Sequence, residues 1–212
     1  MRFNRKQLLL YAVTDRSWLN GRPLEQVLEE ALRGGVTLVQ LREKNLESDA
    51  FLKEAIRIRD LCHQYGVPLI INDNLDVAAQ CSADGIHVGM EDLPVAEIRR
   101  RMGRDFIIGA TAKTVGQAQA AEAAGADYLG VGAVYPSPTK QNARRITREE
   151  LAEISTSVSI PIVAIGGITE ENLPSLADSG IAGAAVVSAI FAQKDPGQAA
   201  QNLRSILKNI VK

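Results

Sequence analysis

The chain alternates short apolar runs with longer amphipathic stretches from one end to the other. Short runs rich in Val, Ile and Leu are typical of strands that are buried on both faces, as in a parallel sheet. The stretches between them carry apolar residues near i, i+3 and i+4, the spacing of a helix with one buried face. The predicted strands cover residues 8–13, 36–42, 68–72, 85–88, 106–111, a run ending at 134, 160–165 and 184–187. The predicted helices cover 23–33, 48–65, a short piece ending at 80, 94–102, 115–124, a stretch through 154, about 169–178, and a last helix from 196.

These elements form eight strand-helix pairs, and strands that are joined by crossover helices must run parallel. A small residue and a glycine precede an apolar run at Gly35, Gly125 and Gly180, which is a weak internal repeat of a helix end leading into a strand. We therefore predict an α/β fold, a (β/α)8 TIM barrel that forms one domain over residues 1–212. An open, doubly wound sheet is the alternative.

Composition narrows the class of protein. With 212 residues and 46% hydrophobic content, the chain can bury one sizeable core. A net charge of −1 and an aromatic share of 4% do not favour nucleic acid or a membrane as partner. The first apolar run is short and lacks a cleavage pattern, so we expect a cytoplasmic protein. Cys62 and Cys81 have no metal-binding spacing and are expected to be buried, reduced thiols.

Polar residues follow the predicted strands, at the ends where barrel enzymes place their chemistry. Gln40 and Arg42 share one face of the second strand, and Lys44 comes just beyond it. A strand interior should be apolar there, which favours a binding role over a solvated charge cluster. The third strand ends at Asn72 and Asp73.

Asp92 follows the fourth strand, next to Glu91. Two carboxylates on neighbouring strand ends suit Mg²⁺, which is often held by one or two carboxylates and substrate phosphates. Asp73 is an equally good candidate for the cap of the following helix, and spacing alone leaves both interpretations open.

Later strand ends suggest anion binding. Residues 130–140 join a glycine-rich strand to a stiff loop with two prolines, from which Ser137, Thr139 and Lys140 project, although a plain polar turn fits equally. Thr111 and Lys113 end the fifth strand, where they can equally belong to the next helix. Glycines 166 and 167 and Ser188 follow the last two strands. Each of these two strand ends is predicted to lead into a helix whose N-terminus binds phosphate. His63 and His87 are expected to be structural.

Taken together, these motifs resemble the thiamine phosphate synthase family. The resemblance runs in order from residue 8 to residue 191 and is highly specific. It is carried by Tyr11 with Thr14 and Asp15, residues 40–44, Asn72 with Asp73, His87 to Gly89 with Asp92, the segment 130–140, residues 164–168 and residues 187–190. It implies a (β/α)8 barrel that joins a hydroxymethylpyrimidine pyrophosphate to a thiazole phosphate with Mg²⁺ and releases pyrophosphate.

The resemblance also implies a role for each matching residue. Asp73 and Asp92 would hold Mg²⁺, and Arg42, Lys44, Asn72 and Lys140 would bind the pyrophosphate. Gln40 and Thr111 would face the pyrimidine. Ser137 and Thr139 would lie at the thiazole phosphate region, and Gly167, Val187 and Ser188 would bind the phosphate itself. Arg42, Lys44, Lys140 and Thr111 would be the catalytic residues. The partners would be small-molecule substrates, and the state of assembly, including a homo-oligomer, stays open.

Some positions depart from the commonest family pattern. Thr111 stands in place of a serine, Lys113 in place of a histidine, Ser137 in place of a threonine, and Met90 in place of a glutamine; Asn74 occupies a position that is often charged. The related thiazole tautomerase is understood to use a histidine at position 113 and lacks the full metal and pyrophosphate set. Lys113 therefore favours the synthase. The alternatives are the tautomerase and a catalytically silent barrel that senses thiazole phosphate.

Overall fold

A computed structural model describes residues 3–136 and 144–211 of the protein. Eight parallel strands form a closed barrel in which each strand pairs with the next and β8 pairs with β1. The strands are β1 Leu10–Val13, β2 Leu38–Leu41, β3 Leu69–Asn72, β4 Gly85–Val88, β5 Ile107–Ala112, β6 Tyr128–Gly132, β7 Ile162–Ile165 and β8 Gly183–Val186. The predicted barrel is confirmed, and the open sheet is wrong.

Helices follow the strands on the outside. They are α1 Leu24–Arg33, α2 Ser48–Gln64, α3 Leu75–Gln80, α4 Val95–Met102, α5 Val115–Ala123, α6 Arg148–Ser157, α7 Ser188–Phe191 and α8 Pro196–Ile210. Short 3₁₀ turns occupy Arg5–Leu8, Arg16–Trp18 and Leu173–Leu176. Within the described ranges, no helix combines the length and the apolar character needed to cross a membrane.

Alternation along the strands produces two cores. Side chains such as Leu38, Ile70 and Ile107 point inward and form a cluster inside the barrel. Their neighbours in sequence point outward and pack against the helices, as Val39 and Ile71 do. The strands therefore have almost no exposed residue, which is why they appear as continuous apolar runs in the sequence.

The sequence allows capping boxes at two helix starts, Thr114 with Gln117 before α5 and Thr147 with Glu150 before α6. At α6 the box is complete, because Thr147 accepts from the N–H of Glu150 and the Glu150 carboxylate accepts from the N–H of Thr147. At α5 Thr114 accepts from the N–H of Gln117, but the Gln117 amide oxygen accepts from the N–H of Lys113. The second box is therefore only half formed, and the Gln117 side chain instead binds the backbone just after β5.

The predicted helix over 169–178 is wrong. The segment forms only the 3₁₀ turn Leu173–Leu176, with Pro174 in its first positions. Proline lacks an N–H and blocks the preceding turn, so a helix cannot run through this position. The short α7, directly after β8, was not predicted as a separate helix, since four residues carry no periodicity to detect.

Candidate active site at the mouth of the barrel

A cavity of about 240 Å³ opens at the carboxyl ends of the strands. Parallel strands bring these ends to one rim, so residues that are far apart in sequence meet there. The lining contains all of the predicted site residues that lie in the described ranges: Gln40, Arg42, Lys44, Asn72, Asp73, Asp92, Thr111, Gly167, Val187 and Ser188. Ser137, Thr139 and Lys140 lie outside the described residues. Lys113 also lines the cavity.

Arg42 is held in place at the end of β2. Its guanidinium donates to Asp15 at 3.1 Å, and the backbone N–H of Arg42 donates to the hydroxyl of the buried Thr14 at 3.0 Å. Asp15 in turn accepts from the backbone and the hydroxyl of Ser17. The bond to Asp15 orients the guanidinium, and an oriented guanidinium suits a phosphate oxygen.

Glu43 points away from this cavity. Its carboxylate binds Arg16 at 2.9 Å, and Arg16 also binds the buried Glu54. Burial raises the pKa of the Glu43 carboxyl. Arg42 and Lys44, on either side of Glu43 in sequence, therefore line the cavity while the Glu43 carboxylate is paired with Arg16.

Asp73 does not cap α3. Asn74 does, because its side-chain oxygen accepts from the N–H of Val77 at 2.9 Å. Asp73 lies one residue earlier with a φ of 62°, in the left-handed region, and its carboxylate accepts from the Asn72 amide at 2.5 Å. An Asp tolerates this conformation better than most residues, so the turn can direct a carboxylate into the cavity.

Asp92 closes a tight turn after β4. One carboxylate oxygen accepts from the N–H of Gly89 at 2.7 Å. Among the described residues, this bond from Gly89 is the hydrogen bond that the Asp92 carboxylate accepts. Across the described ranges, no three His, Cys, Asp or Glu side chains form a metal cage. The donors Asp73, Asp92 and Asn72 are hard oxygen ligands, which fits a Mg²⁺ ion whose shell is completed by water and phosphate.

The opposite part of the rim presents backbone. Gly166 and Gly167 have φ values of 100° and 64°, and a side chain on either would collide with Ala133 or with the Tyr135–Pro136 segment. After β8, α7 begins at Ser188, whose N–H has no acceptor within the helix. No helix begins directly after the two glycines, so the predicted helix N-terminus there is wrong. The backbone cradle itself remains at the cavity wall.

The sequence interpretation did not predict the hydrogen bonds among polar side chains inside the barrel, although Tyr11 and His87 belong to the motifs that carry the family resemblance. Tyr11, Tyr128 and His87 point inward and join Gln40 to Thr111 through hydrogen bonds of 2.6 to 3.2 Å. Burial raises the pKa of both tyrosines. The inward alternation of β1, β4 and β6 was the available signal, but it does not say which polar side chains meet across a barrel.

The remaining predictions concern residues away from the rim. His63 lies on α2 and bonds to Asp84 at 2.8 Å, which agrees with a structural role. Cys62 and Cys81 are buried free thiols, as predicted. Arg144, the first residue of the second described range, pairs with Glu150 at 2.8 Å.

The fold and the cavity define the class: a (β/α)8 barrel whose strand ends gather cations, carboxylates and backbone donors at one polar mouth.

The family model described as thiamine monophosphate synthase matches residues 10–190. A thiamine-phosphate synthase from Clostridium tetani is 48% identical over 92% of this chain and 93% of its own length. One from Methanobrevibacter smithii is 47% identical over 94% and 95%. A solved thiamine phosphate pyrophosphorylase from Pyrococcus furiosus superposes with a TM-score of 0.90 at 36% identity and covers 98% of this chain and 99% of its own.

The chain belongs to the thiamine monophosphate synthase family. The resemblance and the fold expected from it are therefore confirmed, and the protein is placed among the transferases of thiamine biosynthesis. The roles of individual site residues stay predictions.

Proposed function

We propose that the protein joins 4-amino-2-methyl-5-hydroxymethylpyrimidine pyrophosphate to thiazole phosphate and releases pyrophosphate. The observation that carries this proposal is that the lining of one cavity has two chemically different parts. One end has Arg42, Lys44 and Asn72 beside two carboxylates, and the other has backbone donors. A diphosphate needs several cations, whereas a monophosphate is well held by backbone N–H groups.

The diphosphate end is built by β2, β3 and β4. Arg42 and Lys44 supply positive charge, and Asn72 supplies amide donors near Asp73. Asp73 and Asp92 would hold Mg²⁺, which when bound neutralises charge on the leaving pyrophosphate. Asp15 supports this end because it keeps the Arg42 guanidinium aligned while substrate is absent. Lys140, which the family resemblance implies here, would add a further cation.

The reaction that suits this arrangement is a dissociative displacement. The bond between the pyrimidine methylene carbon and the pyrophosphate oxygen breaks, and its electron pair leaves with pyrophosphate. The thiazole nitrogen then donates its lone pair to the methylene carbon. The aminopyrimidine delocalises the positive charge in between, so the protein needs only to align the reactants and stabilise the leaving group.

Residues inside the barrel would align the pyrimidine, and residues after the last strands would align the thiazole phosphate. Gln40 and Thr111 would face the pyrimidine, deep in the cavity. Gly167, Val187 and Ser188 would bind the thiazole phosphate, with Ser137 and Thr139 from the loop after β6. No residue needs to form a covalent intermediate, because the aminopyrimidine itself carries the positive charge between the two steps.

The test is a reaction with both purified substrates. We expect pyrophosphate and thiamine phosphate to appear in equal amounts, and only when Mg²⁺ is present. Interconversion of thiazole phosphate isomers with no pyrophosphate would indicate a tautomerase instead. Binding of thiazole phosphate with no turnover would indicate a sensor.

A further inference from the structure

Five polar side chains form one hydrogen-bonded chain across the inside of the barrel. The Gln40 amide nitrogen bonds to the Tyr11 hydroxyl at 2.6 Å, and this hydroxyl bonds to that of Tyr128 at 2.7 Å. The Tyr128 hydroxyl bonds to Nδ1 of His87 at 3.2 Å, and Nε2 of His87 bonds to the Thr111 hydroxyl at 3.1 Å. We call this set the interior polar chain. It connects β2 to β5 through β1, β6 and β4.

With the Gln40 amide nitrogen directed at Tyr11, the hydrogens of this chain have one direction that leaves no member unsatisfied. The Gln40 amide nitrogen can only donate, so the Tyr11 oxygen accepts and its own hydrogen goes to Tyr128. The Tyr128 hydrogen is then available for Nδ1 of His87. The opposite direction would leave the Tyr11 hydrogen without an acceptor in the chain, at a side chain that is only 1% exposed.

This direction determines the state of His87. With Nδ1 accepting from Tyr128, the ring carries its hydrogen on Nε2 and donates it to the Thr111 oxygen. The Thr111 hydroxyl therefore does not use its own hydrogen on His87, and that hydrogen is left for the cavity. At the other end, the Gln40 nitrogen is engaged by Tyr11, which leaves the amide oxygen for the cavity.

We propose that Tyr11, Tyr128 and His87 are positioning residues, which hold the Gln40 amide oxygen as an acceptor and the Thr111 hydroxyl as a donor for the pyrimidine ring. This inference rests on the proposed function. An acceptor and a donor in fixed positions match a ring that offers an amino group and an unprotonated ring nitrogen. A ring with the reversed pattern would leave buried polar groups unpaired.

The packing around the interior polar chain supports a specific role. Barrel interiors are usually filled by branched apolar side chains, and here two tyrosines are packed among them. Gly109 leaves room for the Tyr128 ring, because a side chain there would collide with that ring and with His87. The two phenol rings meet edge to face at 5.9 Å. The phenol oxygens are therefore held in place by packed rings.

The first test measures the state of His87 by nitrogen NMR of the ¹⁵N-labelled protein. The sequence contains two histidines, so a His63→Gln variant assigns both rings. We expect the neutral tautomer with hydrogen on Nε2 in the wild type, and loss of this single state in Tyr128→Phe. An Nδ1-protonated ring, a doubly protonated ring or an average of tautomers in the wild type would overturn the proposal.

The second test is a double-mutant cycle on turnover with Tyr128→Phe and Thr111→Val. We expect Tyr128→Phe to lower kcat/KM for the pyrimidine substrate about tenfold, and to leave KM for thiazole phosphate within about twofold. In the Thr111→Val background the same change should cost clearly less, because the hydroxyl that it orients is gone. Equal losses in the two backgrounds would overturn the proposal.

Tyr65→Phe is the matched control, because this tyrosine lies on the surface and bonds to Glu29 and Arg33. It should leave kcat/KM unchanged. If Tyr128→Phe did not fold, Tyr11→Phe would be used, since it breaks the chain on the Gln40 side. The NMR measurement needs no turnover. A wild type without synthase activity would count against the proposed function. The interior polar chain would then still be tested by the tautomer of His87.

Discussion

At the residue scale, the sequence suggested Asp73 both as a helix cap and as a metal ligand, and the structure gives the cap to Asn74. Asn74 caps α3, and Asp73 is free of that task but sits in a left-handed conformation with a φ of 62°. Such a conformation costs about 1 kcal/mol or more for a residue with a Cβ. Its position at the cavity mouth is consistent with a carboxylate that is directed toward a ligand.

Asp92→Asn tests the metal assignment. An asparagine oxygen can still accept from the N–H of Gly89, so the turn should keep its shape. The lost charge should raise the Mg²⁺ concentration for half-maximal turnover about tenfold or more and lower the maximal rate. Pyrophosphate release during a Mg²⁺ titration is the measurement. Glu91→Gln is the control, because Glu91 is exposed next to Asp92 and does not line the cavity. A D92N titration that matches the wild type would remove the assignment.

The meeting of polar strand ends could be predicted from the sequence, whereas the interior polar chain could not. Arg42, Asp73 and Asp92 each follow a recognisable strand, and parallel strands bring such residues to one rim. Tyr11 and Tyr128 are 117 residues apart and meet across the barrel. Their contact depends on stagger and side-chain direction, which the alternation of apolar residues does not encode.

At the element scale, β5 shows how a strand is shaped by its neighbour. Gly109 pairs with Tyr128 of β6 and lies directly against its phenol ring. The absence of a side chain on this inward position lets a large aromatic residue cross the barrel. Thr111, two residues further along the same face, then reaches His87.

Gly109→Ala should therefore destabilise the protein. The added methyl group meets the Tyr128 ring and His87, and overpacking of this kind costs about 1 to 3 kcal/mol. Gly116→Ala is the matched control, because it adds the same atom within α5 with nothing within 4 Å. It should stabilise the protein by about 0.5 to 1 kcal/mol. Urea unfolding measures both, and equal midpoints would contradict the packing argument.

The errors in the fold prediction come from a proline in one predicted helix and from the boundaries of other elements. Val and Ile runs identified the strands, because their burial on both faces leaves a strong signal. The segment 169–178 has helix-like residues, but Pro174 limits it to a 3₁₀ turn. The predicted first strand began at Leu8, which instead ends the 3₁₀ turn Arg5–Leu8, although it is fully buried. Burial alone does not distinguish a strand residue from a buried turn.

At the scale of the whole molecule, closure of the barrel separates an inner and an outer core. The inner core holds the two tyrosine hydroxyls away from water, and this burial raises the pKa of both side chains. In the unfolded chain a tyrosine ionises near pH 10, so the two states take up protons differently at high pH. The stability of the closed barrel is therefore coupled to alkaline pH.

The sign of this coupling follows from the raised pKa values of Tyr11 and Tyr128. Their contribution is fully present below about pH 10 and is lost as the pH rises toward the folded-state pKa, because only the unfolded chain releases these protons. Each tyrosine should steepen the fall of the unfolding free energy by up to about 1.4 kcal/mol per pH unit. Urea unfolding across alkaline pH measures the slope. Tyr128→Phe should reduce it, and an unchanged slope would contradict the assignment.

The two buried thiols of the outer core report on whether this layer opens to solvent. Cys62 on α2 and Cys81 after α3 are both fully buried between helices and barrel, and burial raises the pKa of each thiol. The reactive thiolate is therefore suppressed twice, by its pKa and by access. We expect a colorimetric disulfide reagent to label neither thiol of the native protein rapidly at pH 8 and both in urea. Raising the pH from 7 to 9 should speed labelling of the unfolded chain strongly, since free thiols ionise near pH 8.5. Cys62→Ser and Cys81→Ser assign any native signal, and rapid labelling of either thiol would show that the helix layer opens locally without unfolding of the barrel.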